Sequence, residues 1–134
     1  LQIKMHKKSQ SSMEFFALVG LAFLAVILFV ALSVNEVREL RDAKEFILIK
    51  DLAFKLQKEV SIAATVEDGY ERSFELPDKL ENIVDYFTII RNNTITINSS
   101  KTVFSVPIPN TAGKNFTKGS NKVEKINGRI YVNR

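Results

Sequence analysis

The sequence predicts an α+β protein: a long N-terminal α-helix, hydrophobic in its first half and amphipathic in its second, packed against a small antiparallel β-sheet or sandwich. Three observations predict it. Residues 15–34 form an uncharged apolar run, and residues 35–64 contain neither proline nor glycine and draw one apolar stripe. From Tyr70 onward the apolar period changes from helical spacing to two. A chain of 134 residues suffices for about one domain. At 46% hydrophobic and 25% charged it is not a disordered polar tail.

The apolar run, Phe15 to Val34, is 20 residues long and has no charge, no proline and no strongly polar side chain except Ser33. As a helix it spans about 30 Å, the thickness of a bilayer's hydrocarbon core. Its Leu, Ile, Phe and Val side chains together favour insertion by about 4 to 8 kcal/mol. The remaining chain is too short to wrap a helix that is apolar all round, which argues against a soluble core helix. A cleaved secretory signal has an apolar core of roughly 7–15 residues and ends at a small-residue site. This run is longer, and no A-x-A pattern follows it.

Charge fixes the expected orientation. The net charge is +4, yet Lys4, Lys7 and Lys8 supply most of the excess, and beyond residue 9 there remain 16 basic and 15 acidic residues. A near-neutral body with a basic head is no footprint for DNA, and no nucleic acid is expected as a partner. Lysines ahead of an apolar run are the cytoplasmic flank of a membrane segment, which puts residues 35–134 outside.

The helix is expected to continue from about Ser11 to Thr65. Residues 35–64 are rich in Glu, Leu, Lys and Ala, all good helix formers. Phe46, Ile49, Ala53, Leu56, Val60 and Ala63 recur at spacings of three and four, while Glu39, Lys44, Lys50, Lys55 and Lys58 occupy other faces. Val37 and Leu40 begin a slightly different phase. Asp68-Gly69 ends the helix. Strands are expected at Arg72–Leu76, Asp85–Arg91, Thr94–Asn98, Thr102–Ile108, Lys122–Ile126 and Arg129–Asn133. Asn92-Asn93 and, more strongly, Asn127-Gly128 are tight hairpin signals. Thr111–Ser120 reads as a loop. So few short strands enclose a marginal core, which the stripe from Phe46 to Ala63 should complete.

One junction carries a resemblance. Residues 7–18 read KKSQSSMEFFAL. This closely resembles the processing region of archaeal type IV pilin-like proteins, which show Q-x-S-x-E-x-x-x-L after a short basic leader. Gln10, Ser12, Glu14 and Leu18 fill its four fixed positions, and Lys7-Lys8 is the basic pair before the cut. Ser9 stands where glycine is the commoner residue. The resemblance implies a leader of residues 1–9, removed between Ser9 and Gln10 by a prepilin peptidase on the cytoplasmic side. It implies a helix over 10–65, with 15–34 as membrane segment and filament core, and a β-rich head over 66–134. The implied product is a pilin, polymerised into an archaeal surface filament for adhesion. Partners would be further copies of the chain, the membrane, an assembly ATPase and a polytopic membrane platform protein. Archaellins usually lack the Gln/Ser/Glu pattern, so a pilus is expected rather than a swimming filament. The subunit would be stored in the cytoplasmic membrane and then moved to the cell surface.

The resemblance also gives Glu14 a role. A carboxylate touching an apolar run is costly unless it finds a partner. Cleavage would create an α-ammonium at Gln10, and pairing it with Glu14 of a neighbouring subunit would neutralise both charges in a low dielectric.

The remaining residues exclude more than they propose. There is no cysteine and one histidine, so a disulfide scaffold, a thiol nucleophile, thiolate metal sites and paired imidazoles are all excluded. No P-loop, G-x-G-x-x-G, G-x-S-x-G or H-E-x-x-H occurs, and neither enzyme activity nor a cofactor is expected. Asp78, Glu81 and Asp85 fit no calcium loop and read as a solvated turn. Sequons begin at Asn92, Asn98 and Asn115, each in an expected turn or loop of the exterior half, which suggests N-glycosylation. A second reading is a single-pass, membrane-anchored surface domain that binds a ligand and never polymerises. An anchor has no reason to carry Q-x-S-x-E.

Overall fold

A computed structural model describes residues 3–134, with side chains from Ser11 onward. Its order is one helix and then seven strands, an α+β fold in which the long N-terminal helix packs against mixed, mostly antiparallel sheets. Helix α1 runs from Ile3 to Thr65. Its only glycine between Ser11 and Thr65 is Gly20, and no proline interrupts it. The chain divides into two compact units within this helix, Leu1–Arg41 and Asp42–Arg134.

In the second unit the strands are β1 (Glu71–Leu76), β2 (Tyr86–Arg91), β3 (Thr94–Ser99), β4 (Val103–Pro107), β5 (Thr111–Gly113), β6 (Gly119–Ile126) and β7 (Arg129–Val132). They form a four-stranded sheet in the order β1-β6-β7-β5 and a three-stranded meander β2-β3-β4. Both expected hairpins are present. Asn92 and Asn93 have φ of 50° and 59°, and Asn127 and Gly128 have φ of 51° and 75°. Two consecutive left-handed residues are what a type I′ turn requires, and Asn and Gly tolerate them best.

One expectation needs correction: Thr111–Ser120 is not all loop, since it contains β5 and the start of β6. The strands pair antiparallel as expected except for β5, which pairs parallel to β7 with Thr111 opposite Ile130 and Gly113 opposite Val132. The physical reason is Gly113. A Cβ there would lie 2.1 Å from the Val132 carbonyl oxygen, so only glycine lets the two backbones come so close.

The core lies between the 42–65 part of α1 and the strands. Ile49, Ala53, Leu56, Val60 and Ala63 are fully buried, joined by Leu52. They pack in one cluster with Leu76, Tyr86, Ile95, Ile97, Val123 and Val132, among others. Each large aliphatic side chain there stabilises the fold by about 1.5–3 kcal/mol relative to exposure. Phe46 departs from the expected stripe. It remains 43% exposed and meets Phe104 edge-on, with ring centroids 5.8 Å apart. Glu59 is the charged residue drawn into this face. Its Oε2 lies 3.1 Å from Arg72 Nε, in poor hydrogen-bond geometry.

The C-terminal end of α1 is held by the sheet. No basic residue lies in its last turn. Instead Lys125 Nζ on β6 donates to the carbonyls of Ala64 (3.1 Å) and Val66 (2.7 Å). These carbonyls have no intrahelical partner, and an ammonium there also complements the negative end of the helix dipole. Gly69 and Asp68 complete the junction, through Gly69 N–H to Lys125 O and Gly128 N–H to Asp68 Oδ1. Near the start of the unit, Glu45 accepts from the Ser99 hydroxyl and the Lys101 amide, while Asp42 pairs with Lys101 at 2.5 Å.

Candidate functional site: an exposed apolar helix

The apolar run keeps its side chains in the open. From Ser11 to Val34 every residue is exposed except half-buried Ser33. Phe16 is 71% exposed, Phe29 72% and Leu32 67%. The N-terminal helix is thus long and apolar enough to cross a membrane, and among the described residues none of its most apolar stretch is buried. Contiguous apolar surface of this extent, on a helix apolar all round, is built for lipid or for other apolar helices rather than for water.

Its one polar side chain is already satisfied. Ser33 Oγ donates to the Phe29 carbonyl, one turn back, at 2.9 Å. The hydroxyl therefore brings no unpaired donor into an apolar surrounding. Gly20 is equally informative, because a Cβ added there would meet nothing within 4 Å. Among the described residues nothing requires glycine at this point.

The residues of the Q-x-S-x-E-x-x-x-L pattern and its basic flank fall in two groups. Ser12, Glu14 and Leu18 lie on α1 and are exposed. The side chains of Lys7, Lys8, Ser9 and Gln10 lie outside the described residues, so the basic pair and the expected cleavage point have no described surroundings. Among the described residues Glu14 takes part in no ion pair.

A second feature of this segment is found by counting around the helix rather than along it. Arg38 and Arg41 share one face, and Glu36 and Glu39 share the opposite one. This sorting of charge follows from the helical period alone and carries no local motif.

The second unit has a different feature, a cleft of about 660 Å³ along β2, lined by Asp85, Phe87, Asn98, Asn115 and Lys118 among others. Asp85 and Lys118 form an ion pair at its rim, and this hydrogen bond and charge hold the Asp85 carboxyl below its ordinary range. Burial, with Asp78 and Asp85 nearby, pushes the Tyr86 phenol up, and that hydroxyl donates to Pro77 O at 2.6 Å. On the other sheet, Glu71 and then Glu124 raise Lys122. Glu81, for its part, pairs with Lys44. Among the described residues, Asp78, Glu81 and Asp85 belong to no cluster with metal-binding spacing.

The three sequons have distinct settings. Asn92 is exposed at the β2–β3 turn. Asn115 is exposed in the segment before β6, with its Oδ1 accepting the Ile90 amide at 2.7 Å. Asn98 is not in a turn as expected. It lies in β3, the central strand of its sheet, opposite Phe87 and Val103. The expected strand Thr94–Asn98 already contains it, and β3 runs one residue further, to Ser99.

The chain matches no protein-family model, no curated protein and no solved structure.

Proposed function

We propose that the chain is the structural, non-enzymatic subunit of a surface filament, an archaeal type IV pilus. It is held in the cytoplasmic membrane by its apolar helix, cut before Gln10, and then polymerised through that helix. The observation that carries this reading is the exposed apolar surface from Phe15 to Val34, which overlaps and follows the Gln10, Ser12, Glu14 and Leu18 pattern. Side chains that face lipid before assembly face the helices of other copies afterwards. The hydrophobic cost of leaving the bilayer is thereby largely offset. The satisfied Ser33 hydroxyl and the open flank of Gly20 suit either surrounding. Glu14, exposed beside this surface, is the residue expected to neutralise the Gln10 α-ammonium of a neighbouring copy. The filament's function is adhesion, and glycans on the Asn92 or Asn115 sequons would lie on its outer, head-domain surface.

N-terminal sequencing of sheared filaments from the native cells tests the reading. A polypeptide beginning at Gln10 is expected. Sheared filaments without this polypeptide, together with an uncut chain in purified membranes, would instead support a membrane-anchored binding domain. The cleft along β2 would then be the place to look for its ligand.

A further inference from the structure

Just beyond the apolar run, α1 carries four charged residues sorted by face. At about 100° per residue, Arg38 and Arg41 stand roughly 60° apart, Glu36 and Glu39 likewise, and the two pairs point roughly 160° away from each other. All four belong to the same compact unit and are exposed. Among the described residues none of them takes part in an ion pair. Stabilising pairs along a helix need opposite charges three or four residues apart. Glu36 and Glu39 are followed at four by Leu40 and Ala43. Arg38 and Arg41 are followed at four by Asp42 and Glu45, which Lys101 and Ser99 already engage.

We infer that the two faces dock on each other between copies: Arg38 and Arg41 of one subunit pair with Glu36 and Glu39 of the next. This rests on the filament reading and adds to it the contact that sets the register of neighbouring helices. The faces cannot serve a two-fold dimer, which would oppose each face to itself and place like charges together. Each copy offers one positive and one negative face on opposite sides, so the contact is heterologous and propagates. The charges begin about 3 Å and end about 10 Å beyond Val34 along the axis, at the margin of the surface that assembly would dehydrate. Ion pairs there are screened less than on an open surface. A shallow cleft of about 360 Å³ adjoins the arginines, walled by Phe29, Val30, Val34 and Val37. A neighbouring helix seated in it would bury apolar surface and bring its acids to the guanidinium groups in the same contact. Axial slippage would leave charges of either pair without a partner at this partly dehydrated margin, which is how charge pairing specifies register.

Three variants of the full-length chain test this in cells that assemble the wild type. They are Arg38→Glu/Arg41→Glu, Glu36→Arg/Glu39→Arg, and the combination of all four changes. Membrane level and processing are measured by blotting, and filament yield by shearing and electron microscopy. Each double variant should be inserted and processed normally, with filament yield down by about tenfold or more, and the fourfold variant should recover to within about threefold of wild type. Normal assembly of either double variant overturns the inference. So does a fourfold variant that is processed but stays as defective as the doubles. Loss with the arginine changes alone would assign the arginines to an anionic lipid phosphate and would also overturn it. Absence of the wild-type chain from filaments contradicts the filament reading itself and is visible before any variant is made.

Discussion

Replacing Gly113 with alanine isolates the close approach that admits β5 to the sheet. Gly113 has φ of +105°, and a Cβ built there lies 2.1 Å from the Val132 oxygen and 3.0 Å from the Val132 nitrogen. Ordinary contact needs about 3.5 Å, so β5 must move by more than about 1 Å. Gly119 is the internal control, with φ of +87° and nothing within 4 Å of an added Cβ. An L-residue held at positive φ costs about 1–2 kcal/mol, and Gly119→Ala should destabilise by that much. Gly113→Ala carries the same backbone cost and adds about 1–3 kcal/mol of overpacking. If β5 swings away instead, the hydrogen bond from Lys114 N–H to Val132 O, now 2.8 Å, is lost. That loss is worth about 1 kcal/mol, so the total expected for Gly113→Ala is about 2–5 kcal/mol by either route. Urea unfolding of both full-length variants in detergent micelles measures the difference, and hydrogen exchange at the Lys114 amide locates it. Equal destabilisation by the two variants, within about 0.5 kcal/mol, would refute the close-approach explanation.

Three further outcomes follow from the same structure. Lys125→Met leaves the Ala64 and Val66 carbonyls without their ammonium and should destabilise the second unit by about 1–3 kcal/mol in the same urea assay; a change under about 0.5 kcal/mol would show that water replaces it fully. Leu56→Ala removes a fully buried side chain facing the strands and should cost about 2–5 kcal/mol by thermal or urea unfolding, whereas Lys55→Ala on the exposed face should stay within about 0.5 kcal/mol of wild type. The Asp85 carboxyl is held below its ordinary value of 3.8 by Lys118, so this ion pair contributes above that value and is lost as pH falls through the lower, folded one. An NMR titration should therefore place the Asp85 midpoint below 3.8 in the wild type and return it toward 3.8 in Lys118→Met; an unchanged midpoint would assign the shift to another cause.

Much of this fold is legible because its signals are local. The uncharged run and the three-and-four spacing of Ile49, Ala53, Leu56, Val60 and Ala63 depend only on the helical period, and all five residues are buried. Asn92-Asn93 and Asn127-Gly128 specify their turns through residues that tolerate positive φ. What escapes the sequence is non-local. Three residues, Thr-Ala-Gly, carry too little pattern to read as a strand, and β5 exists because β7, some 19 residues later, offers a parallel edge. Lys125 gives no hint that it caps a helix ending 60 residues earlier. Glu59 looks like a surface acid, yet Arg72 lets it sit within the buried face. In the candidate site the apolar surface and the Gln10–Leu18 pattern are both read directly from the sequence. The separation of Arg38 and Arg41 from Glu36 and Glu39 is written there too, but only to a count made around the helix.

The central claim is that one apolar helix exchanges lipid for copies of itself. Because the chain contains no cysteine, Leu24→Cys gives a single attachment point in the middle of the exposed run. A fluorophore attached there should be quenched by brominated lipid while the subunit is in membranes. In purified filaments it should be neither quenched by lipid nor reached by a water-soluble quencher. Persistent quenching by lipid, or access from water in the filament, would contradict the account.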